Sequence, residues 1–335
     1  MIAGLPDTTL PVTIDDLDET PPLAGGDGAV RASKALMGGQ VSVHVRPSSS
    51  LSASAADRAA RLILGRIEAW AARLTRFDPA SELSRMNGAP TPTVGIGPTL
   101  TAVLDWGRGA EILSDGIVDV GLLDARLRAE GMDRPSEPPS PGSGRPATRH
   151  WSLRRHGRGA SVERSIGLRF DLDGVAKGWL ADRALDLLPN ASTVVDADGD
   201  VAVQVADGTG WAIGVADPLC PGSQVAVVRL TRQRAGIERF GIATSGTSVH
   251  RWATDGDVRH HLIDPRTGHP AQTDVIQATA IASTARAAEA FAKTAVILGS
   301  RAARERMARP DVLGLVLITL DGAVVATRPT LRFLA

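Results

Sequence analysis

Apolar and polar residues alternate over 40–46 (QVSVHVR), the period of a strand with one buried face. Over 54–74, Ile63, Ile67, Trp70 and Leu74 recur at steps of four, three and four, which predicts an amphipathic helix. A polar loop at 76–88 is expected next, then a second helix over 98–113 opened by Pro98. A Pro/Gly/Ser-rich stretch at 133–147 breaks the pattern and reads as a surface loop or a linker between halves. Beyond it, short apolar runs predict strands at 193–197, 200–205, 211–215, 224–230, 258–263 and 275–282. Helices are expected at 176–188, 284–299 and near 301–308. The runs within 313–327 read as a hairpin with Asp321-Gly322 at its turn. Hairpins mixed with helices predict an α+β fold, not a regular βαβ winding.

Composition narrows the class. The chain has 335 residues, room for one large domain or two ordinary ones. Lys+Arg and Asp+Glu are 37 each, and this balance argues against a general nucleic-acid binder or a protein held on anionic membrane by bulk charge. The single cysteine, Cys220, excludes an intrachain disulfide framework and a multi-cysteine metal site. No apolar run approaches the ~18 residues of a membrane helix. Residues 1–30, rich in Asp, Pro and Gly, read as a tail without a basic segment or an apolar run of the secretory kind, so the expected compartment is the cytoplasm. Only three lysines (Lys34, Lys177 and Lys293) stand among 34 arginines, so each is a hint that a compact point charge is wanted there.

Four segments carry candidate chemistry. In 171–188 (DLDGVAKGWLADRALDLL) a glycine-bearing turn leads through Lys177-Gly178 into a helix. Free N–H groups and one ammonium there suit a phosphate, although the residues alone favour a plain strand-to-helix turn with a surface lysine. In 241–252 (GIATSGTSVHRW), small and hydroxyl residues read as a strand end and turn, or as a loop cradling polar ligand groups. In 259–270 (RHHLIDPRTGHP), adjacent strand residues face opposite ways, so His260 and His261 do not share a metal; one of them is a candidate general base. On the helix of 284–299, Glu289 and Lys293 are spaced i, i+4, which predicts a solvated ion pair.

The order of these elements is more specific than any one of them. Met37-Gly38, Ser81-Glu82-Leu83-Ser84, the Asp119 segment, DLDGVAKGWLAD, VVDADGDVAV, GIATSG, HHLIDPRTGHP and the Ala-Glu-Ala-Phe-Ala helix follow one another. The series resembles the ApbE-type flavin transferases, FAD:protein FMN transferases, over residues 35–330. The resemblance implies an α+β, ApbE-like and T-fold-related architecture: two lobes of mixed sheet and helix around a flavin-nucleotide cleft, in a single domain over 31–335. It implies FAD as substrate, Mg2+ on the pyrophosphate, and transfer of FMN to a Ser/Thr hydroxyl of a target flavoprotein with release of AMP. Relatives that hydrolyse FAD to FMN and AMP, and a flavin binder without transfer, are the alternatives.

By that resemblance His261 is the base and Asp264 shapes its loop. Lys177 and Gly178 lie beside the nucleotide, with Thr244, Ser245 and Gly246 as a second loop on it. Met37, Gly38, Glu82 and Asp119 line the flavin cleft. The carbonyl of Ala176 matches a backbone metal ligand, while the family's ligating Asp and Thr fall on Glu289 and Lys293. Lys cannot ligate Mg2+ while protonated, so either Glu289 keeps the ion, or Lys293 stands in for it, or the metal site is lost. Asp173-Gly174 and Asp196-Ala197-Asp198-Gly199 put further acids where the family has small or neutral residues.

Overall fold

The computed structural model describes residues 28–132, 150–232, 236–248, 251–254 and 257–334. The expected tail, up to residue 27, and the Pro/Gly/Ser-rich loop of 133–147 lie outside the described residues. Before that loop the chain forms β1 (Val30–Leu36), β2 (Gly39–Val45), α1 (Ala53–Leu74), α2 (Glu82–Gly88), β3 (Thr93–Ile96), α3 (Pro98–Leu113) and α4 (Leu123–Ala129). After it come β4 (Trp151–His156), β5 (Gly159–Arg164), α5 (Ala176–Leu185), β6 (Thr193–Ala197), β7 (Asp200–Val205), β8 (Trp211–Ala216), β9 (Gln224–Leu230) and β10 (Glu238–Gly246). Four short strands follow: β11 (Arg251–Thr254), β12 (Asp257–His260), β13 (Ile263–Asp264) and β14 (His269–Pro270). The chain closes with β15 (Val275–Ala282), α6 (Ala285–Leu298), α7 (Ser300–Arg306), β16 (Gly314–Thr319) and β17 (Val324–Ala326).

Among the described residues, eight strands form one antiparallel sheet in the order β1-β2-β6-β7-β10-β15-β16-β17. Its middle is covered on both faces, which is why β7, β15 and β16 are buried along their whole length. On one face, Val41, Val43, Val195 and Ala202 meet Ile63, Ile67, Ala181 and Leu185 of α1 and α5. Ala278, Ala280 and Ala282 alternate on β15 and pack under Ala288, Phe291 and Ala295 of α6. On the other face, Val201, Val203, Ile242 and Ile281 meet the β8–β9 hairpin through Trp211, Ile213 and Val228.

The second lobe packs α2, α3 and the β3-β5-β4 sheet around Phe170, Leu100, Leu104 and Val162. Trp70 of α1 meets Trp179 of α5 edge-on, with ring centroids 6.0 Å apart, and joins this lobe to the helical layer of the first. No helix among the described residues is long and apolar enough to cross a membrane.

The periodicity placed β6, β7, β9, β15 and α3 at their observed bounds. Three expectations change. The polar loop of 76–88 contains α2, opened by Ser81, whose Oγ accepts the Ser84 N–H at 3.0 Å. The strand expected over 258–263 ends at His260, where the chain bends before the short β13. Of 241–252, expected as a strand end and turn or a ligand-cradling loop, residues 241–246 belong to β10, a nine-residue strand within the sheet.

Candidate functional site

A cavity of about 650 Å3 opens between the lobes. Its apolar wall comes from Leu36, Met37, Leu74, Phe77, Leu83, Leu172 and Leu180, while Asp171, Asp173, Ala176 and Lys177 edge it with charge and backbone. Met37 and Gly38 form the two-residue turn between β1 and β2, and both have positive φ (56° and 86°). A non-glycine held there spends backbone energy to present its side chain, and Met37 faces the cavity. The chain then reaches the cavity again through the turn that starts α5, where the tight turns of 171–175 bond the Val175 and Ala176 N–H groups back to the Leu172 carbonyl and set the start of the helix at the charged edge.

Beside that turn, acids and cations interleave. Arg126, buried on α4, lies 2.6 Å from Asp173, 2.7 Å from Glu130 and 3.4 Å from Asp171. Arg76 reaches Glu130 from the end of α1 at 2.6 Å. Burial pushes the Asp171 carboxyl up, with Arg126 and Lys293 drawing it back only in part. Burial also opposes the charge on Asp173, but Arg126, Lys177 and His261 outweigh it and hold that carboxyl well below the usual range. Lys177 pairs with Asp198 at 2.9 Å; burial disfavours its charge, yet Asp200, Asp173 and Asp198 keep it firmly protonated. Asp200 shares those cations too thinly, and burial raises its carboxyl to about 8.

Glu289 does not form the expected surface ion pair with Lys293. It is 3% exposed and turned inward, where its Oε2 accepts the Gly178 N–H at 3.1 Å. That N–H belongs to the first turn of α5, so Glu289 caps one helix from another. Close approach makes this possible, since a Cβ on Gly178 would lie 2.7 Å from the backbone of Ala285 and Arg286. The other oxygen, Oε1, is buried without a hydrogen-bond partner, and burial followed by the charge of Asp200 raises the carboxyl well above its usual range. Lys293, one turn further along α6, extends over Gly174.

This arrangement does not fit a divalent ion. Mg2+ takes oxygen ligands in near-octahedral order. The three implied positions offer the Ala176 carbonyl, a Glu289 carboxylate already engaged by Gly178, and an ammonium that repels the ion. No group of three or more His, Cys, Asp or Glu among the described residues is arranged to hold a metal.

The other candidates divide. His261 follows the end of β12 at the bend and lies within electrostatic reach of Asp173, whereas its neighbour His260 is buried with Nε2 3.0 Å from the Ala271 carbonyl oxygen. The alternation expected for adjacent strand residues does not apply here, since the strand ends at His260 and His261 follows in the bend. Thr244, Ser245 and Gly246 end β10, with Thr244 Oγ1 2.8 Å from Thr279 Oγ1. Asp264 accepts from Arg266 at 2.7 Å and from the Arg266 N–H at 2.9 Å, which fixes the turn after β13. Glu82 and Asp119, expected to line the cleft, do not border the cavity. Glu82 instead accepts the Gly97 N–H at the start of α3, and Asp119 accepts the Gly121 N–H at 2.7 Å. Arg126, Glu130 and Arg76 were missed by sequence reasoning, though the i, i+4 pair Arg126–Glu130 was a visible signal.

Fold and site together define an α+β protein with an apolar slot, large enough for a fused aromatic ring system, ending at a cation-bearing helix start. The chain belongs to the ApbE family, whose family model matches residues 37–316. It is 33% identical over 146 residues to an FAD:protein FMN transferase of Treponema pallidum, a stretch covering 40% of this chain and 39% of that protein. With an Escherichia coli K12 protein of the same name it shares 29% identity over 160 residues, 46% of this chain and 44% of that one. The matched stretches thus span less than half the length of these curated relatives. In fold the chain is similar to an ApbE protein from Thermotoga maritima, with a TM-score of 0.74 at 23% identity over 91% of this chain and 99% of that one. An apo flavinyl transferase ApbE from Pseudomonas stutzeri is similar with a TM-score of 0.70 at 20% identity, covering 91% and 96%.

Proposed function

We propose that this chain is an FAD:protein FMN transferase. The observation that carries the proposal is the cavity itself, whose apolar wall with Met37 and Leu74 ends at the Asp171–Lys177 turn and its cations. A flavin ring suits the wall, and a pyrophosphate suits the positive end of α5 and the Lys177 ammonium beside it. Membership of the ApbE family and the name of the relatives, FAD:protein FMN transferase, support the same substrate.

In the proposed reaction the acceptor is a Ser or Thr hydroxyl of a target protein. Its oxygen attacks the phosphorus of the FMN half, its proton passes to His261, and AMP leaves with the bridging oxygen. His261 suits this role because the ring stands beside Asp173, a carboxylate that stays ionised and favours the imidazolium that forms. Lys177 and the helix start bind and orient the phosphates. No step is assigned to a divalent ion.

Mass spectrometry of a Ser/Thr acceptor peptide after incubation with the protein and FAD tests the reading, with AMP assayed in the same tube. FMN on the peptide with matching AMP supports it. FMN and AMP with unmodified peptide indicate an FAD pyrophosphatase. A second reading, a flavin-binding protein without transfer, is favoured by Lys293 at a ligand position and predicts FAD recovered intact.

A further inference from the structure

We infer that the Lys293 ammonium, not a divalent cation, neutralises the pyrophosphate of FAD bound to this chain. The inference deepens the proposed function and rests on it for the identity of the ligand.

Three observations carry it. First, Lys293 is aimed at the turn that starts α5. A Cβ placed on Gly174 would lie 2.0 Å from its Nζ and 2.9 Å and 3.0 Å from its Cδ and Cε. Gly174 thus leaves a notch that the lysine stem fills, next to Asp173, which borders the cavity, and the ammonium lies within electrostatic reach of Asp171 on the same edge. Second, among the described residues Lys293 makes no direct ion pair, although it acts on Asp171 and Glu289 from a distance. Lys177 is paired with Asp198 and Arg126 with Asp173, whereas no hydrogen bond or ion pair of Lys293 is present among the described residues. Third, the residue one turn earlier, Glu289, is buried with Oε1 unpartnered and Oε2 held by Gly178, so it does not neutralise Lys293 directly.

The chemistry fits a fixed monovalent charge. As the acceptor oxygen bonds to phosphorus, the bond from that phosphorus to the bridging oxygen breaks. The bonding pair stays on the bridging oxygen, which departs as part of AMP, and the hydroxyl proton goes to His261. Negative charge grows on the phosphates, and an ammonium with three N–H donors can meet two of their oxygens at once. A divalent ion set beside that ammonium would be repelled, so the two do not share the site.

The test uses the full chain after dialysis against EDTA. FAD binding is followed by flavin fluorescence, and turnover by AMP and modified peptide, each with and without added Mg2+. Wild type is expected to bind FAD equally well in EDTA and in Mg2+. Lys293→Met keeps the stem and removes the charge; it is expected to weaken FAD binding by ~10–100-fold, the loss of one or two charge-assisted hydrogen bonds. Gly174→Ala keeps the lysine but fills its notch, and because only a flexible side-chain end must move, this variant is expected to melt near wild type while binding FAD more weakly. Wild-type binding that requires Mg2+, or a Lys293→Met protein that binds like wild type, overturns the inference. Metal-independent binding through Lys293 with FAD returned intact upholds it and refutes the transferase reading. FAD that does not bind under any condition overturns both.

Discussion

Replacing Arg126 with Met removes one buried cation that faces three carboxylates. The guanidinium lies 2.6 Å from Asp173, 2.7 Å from Glu130 and 3.4 Å from Asp171, with 8% of its side chain exposed. Glu130 retains Arg76 at 2.6 Å, so the loss falls on the two aspartates. Removing one partner of a buried ion pair costs about 3–5 kcal/mol. The Asp173 side chain is 35% exposed and partly screened by water, which sets the expected cost at the lower end, about 3 kcal/mol. Met fills much of the same volume, so little of this is cavity. The pH dependence has a definite sign. Despite burial, Arg126 holds the Asp173 carboxyl below its usual range, a contribution present above the unfolded value near 4 and lost as pH falls through the folded one. Without the cation, burial raises both aspartates, so the variant recovers as pH falls from 7 toward 4. Urea unfolding without FAD, followed by the fluorescence of the buried Trp70–Trp179 pair, reads both effects. A deficit below ~1 kcal/mol at pH 7, or an equal deficit at pH 4.5 and 7, refutes the reasoning.

Three further changes probe separate parts of the site. His261→Ala is expected to lower FMN transfer by ~10²–10⁴ with FAD affinity retained, and unchanged transfer removes His261 from the reaction. Gly178→Ala places a methyl 2.7 Å from the Ala285–Arg286 backbone and is expected to cost about 1–3 kcal/mol, read as a lowered melting temperature; an unshifted melt shows that α5 and α6 can part freely. Asp182 accepts the Ala285 and Arg286 N–H groups at 2.9 and 3.1 Å, and burial raises its carboxyl to about 6. Being raised above the unfolded value, it contributes stability that is present below pH 4 and lost as pH rises through 6; Asp182→Asn is therefore expected to gain about 2–3 kcal/mol on wild type between pH 4 and 7, and parallel urea midpoints at the two pH values exclude this.

What the sequence made legible follows from how each element is held. Strands β7 and β15 are buried along their whole length, so burial on both faces makes them plain in the sequence, while β9 shows one mostly buried face. Strand β10 reads GIATSG at its end, residues of weak strand propensity, and is held by pairing with β7 and β15 on either side. The spacing of Glu289 and Lys293 put both on one side of a helix, but spacing does not say whether that side meets water or the first turn of α5. The spacing of Arg126 and Glu130 is legible as a helical pair, but the role of Arg126 at the site is not, for a related reason. Its partners Asp171 and Asp173 lie more than forty residues away, and only the fold sets them beside α4.

The departures from the family pattern form one electrostatic set. Asp173, Asp198 and Glu289 each put an acid beside the α5 turn, and an uncompensated cluster of that kind would repel the phosphates it is meant to receive. Each acid is answered differently. Asp173 is answered by Arg126 and Asp198 by Lys177, both through direct ion pairs. Glu289 is answered by burial, which raises it well above the usual carboxylate range, and by the Gly178 N–H. With those three acids matched or neutralised within the protein, Lys293 acts on Asp171 and Glu289 only at a distance, so its charge remains able to meet the polyanion of the proposed function. On the proposed reading, these acids hold Lys177 and Arg126 in place through direct ion pairs, while Lys293 stays at the notch of Gly174 for the phosphates.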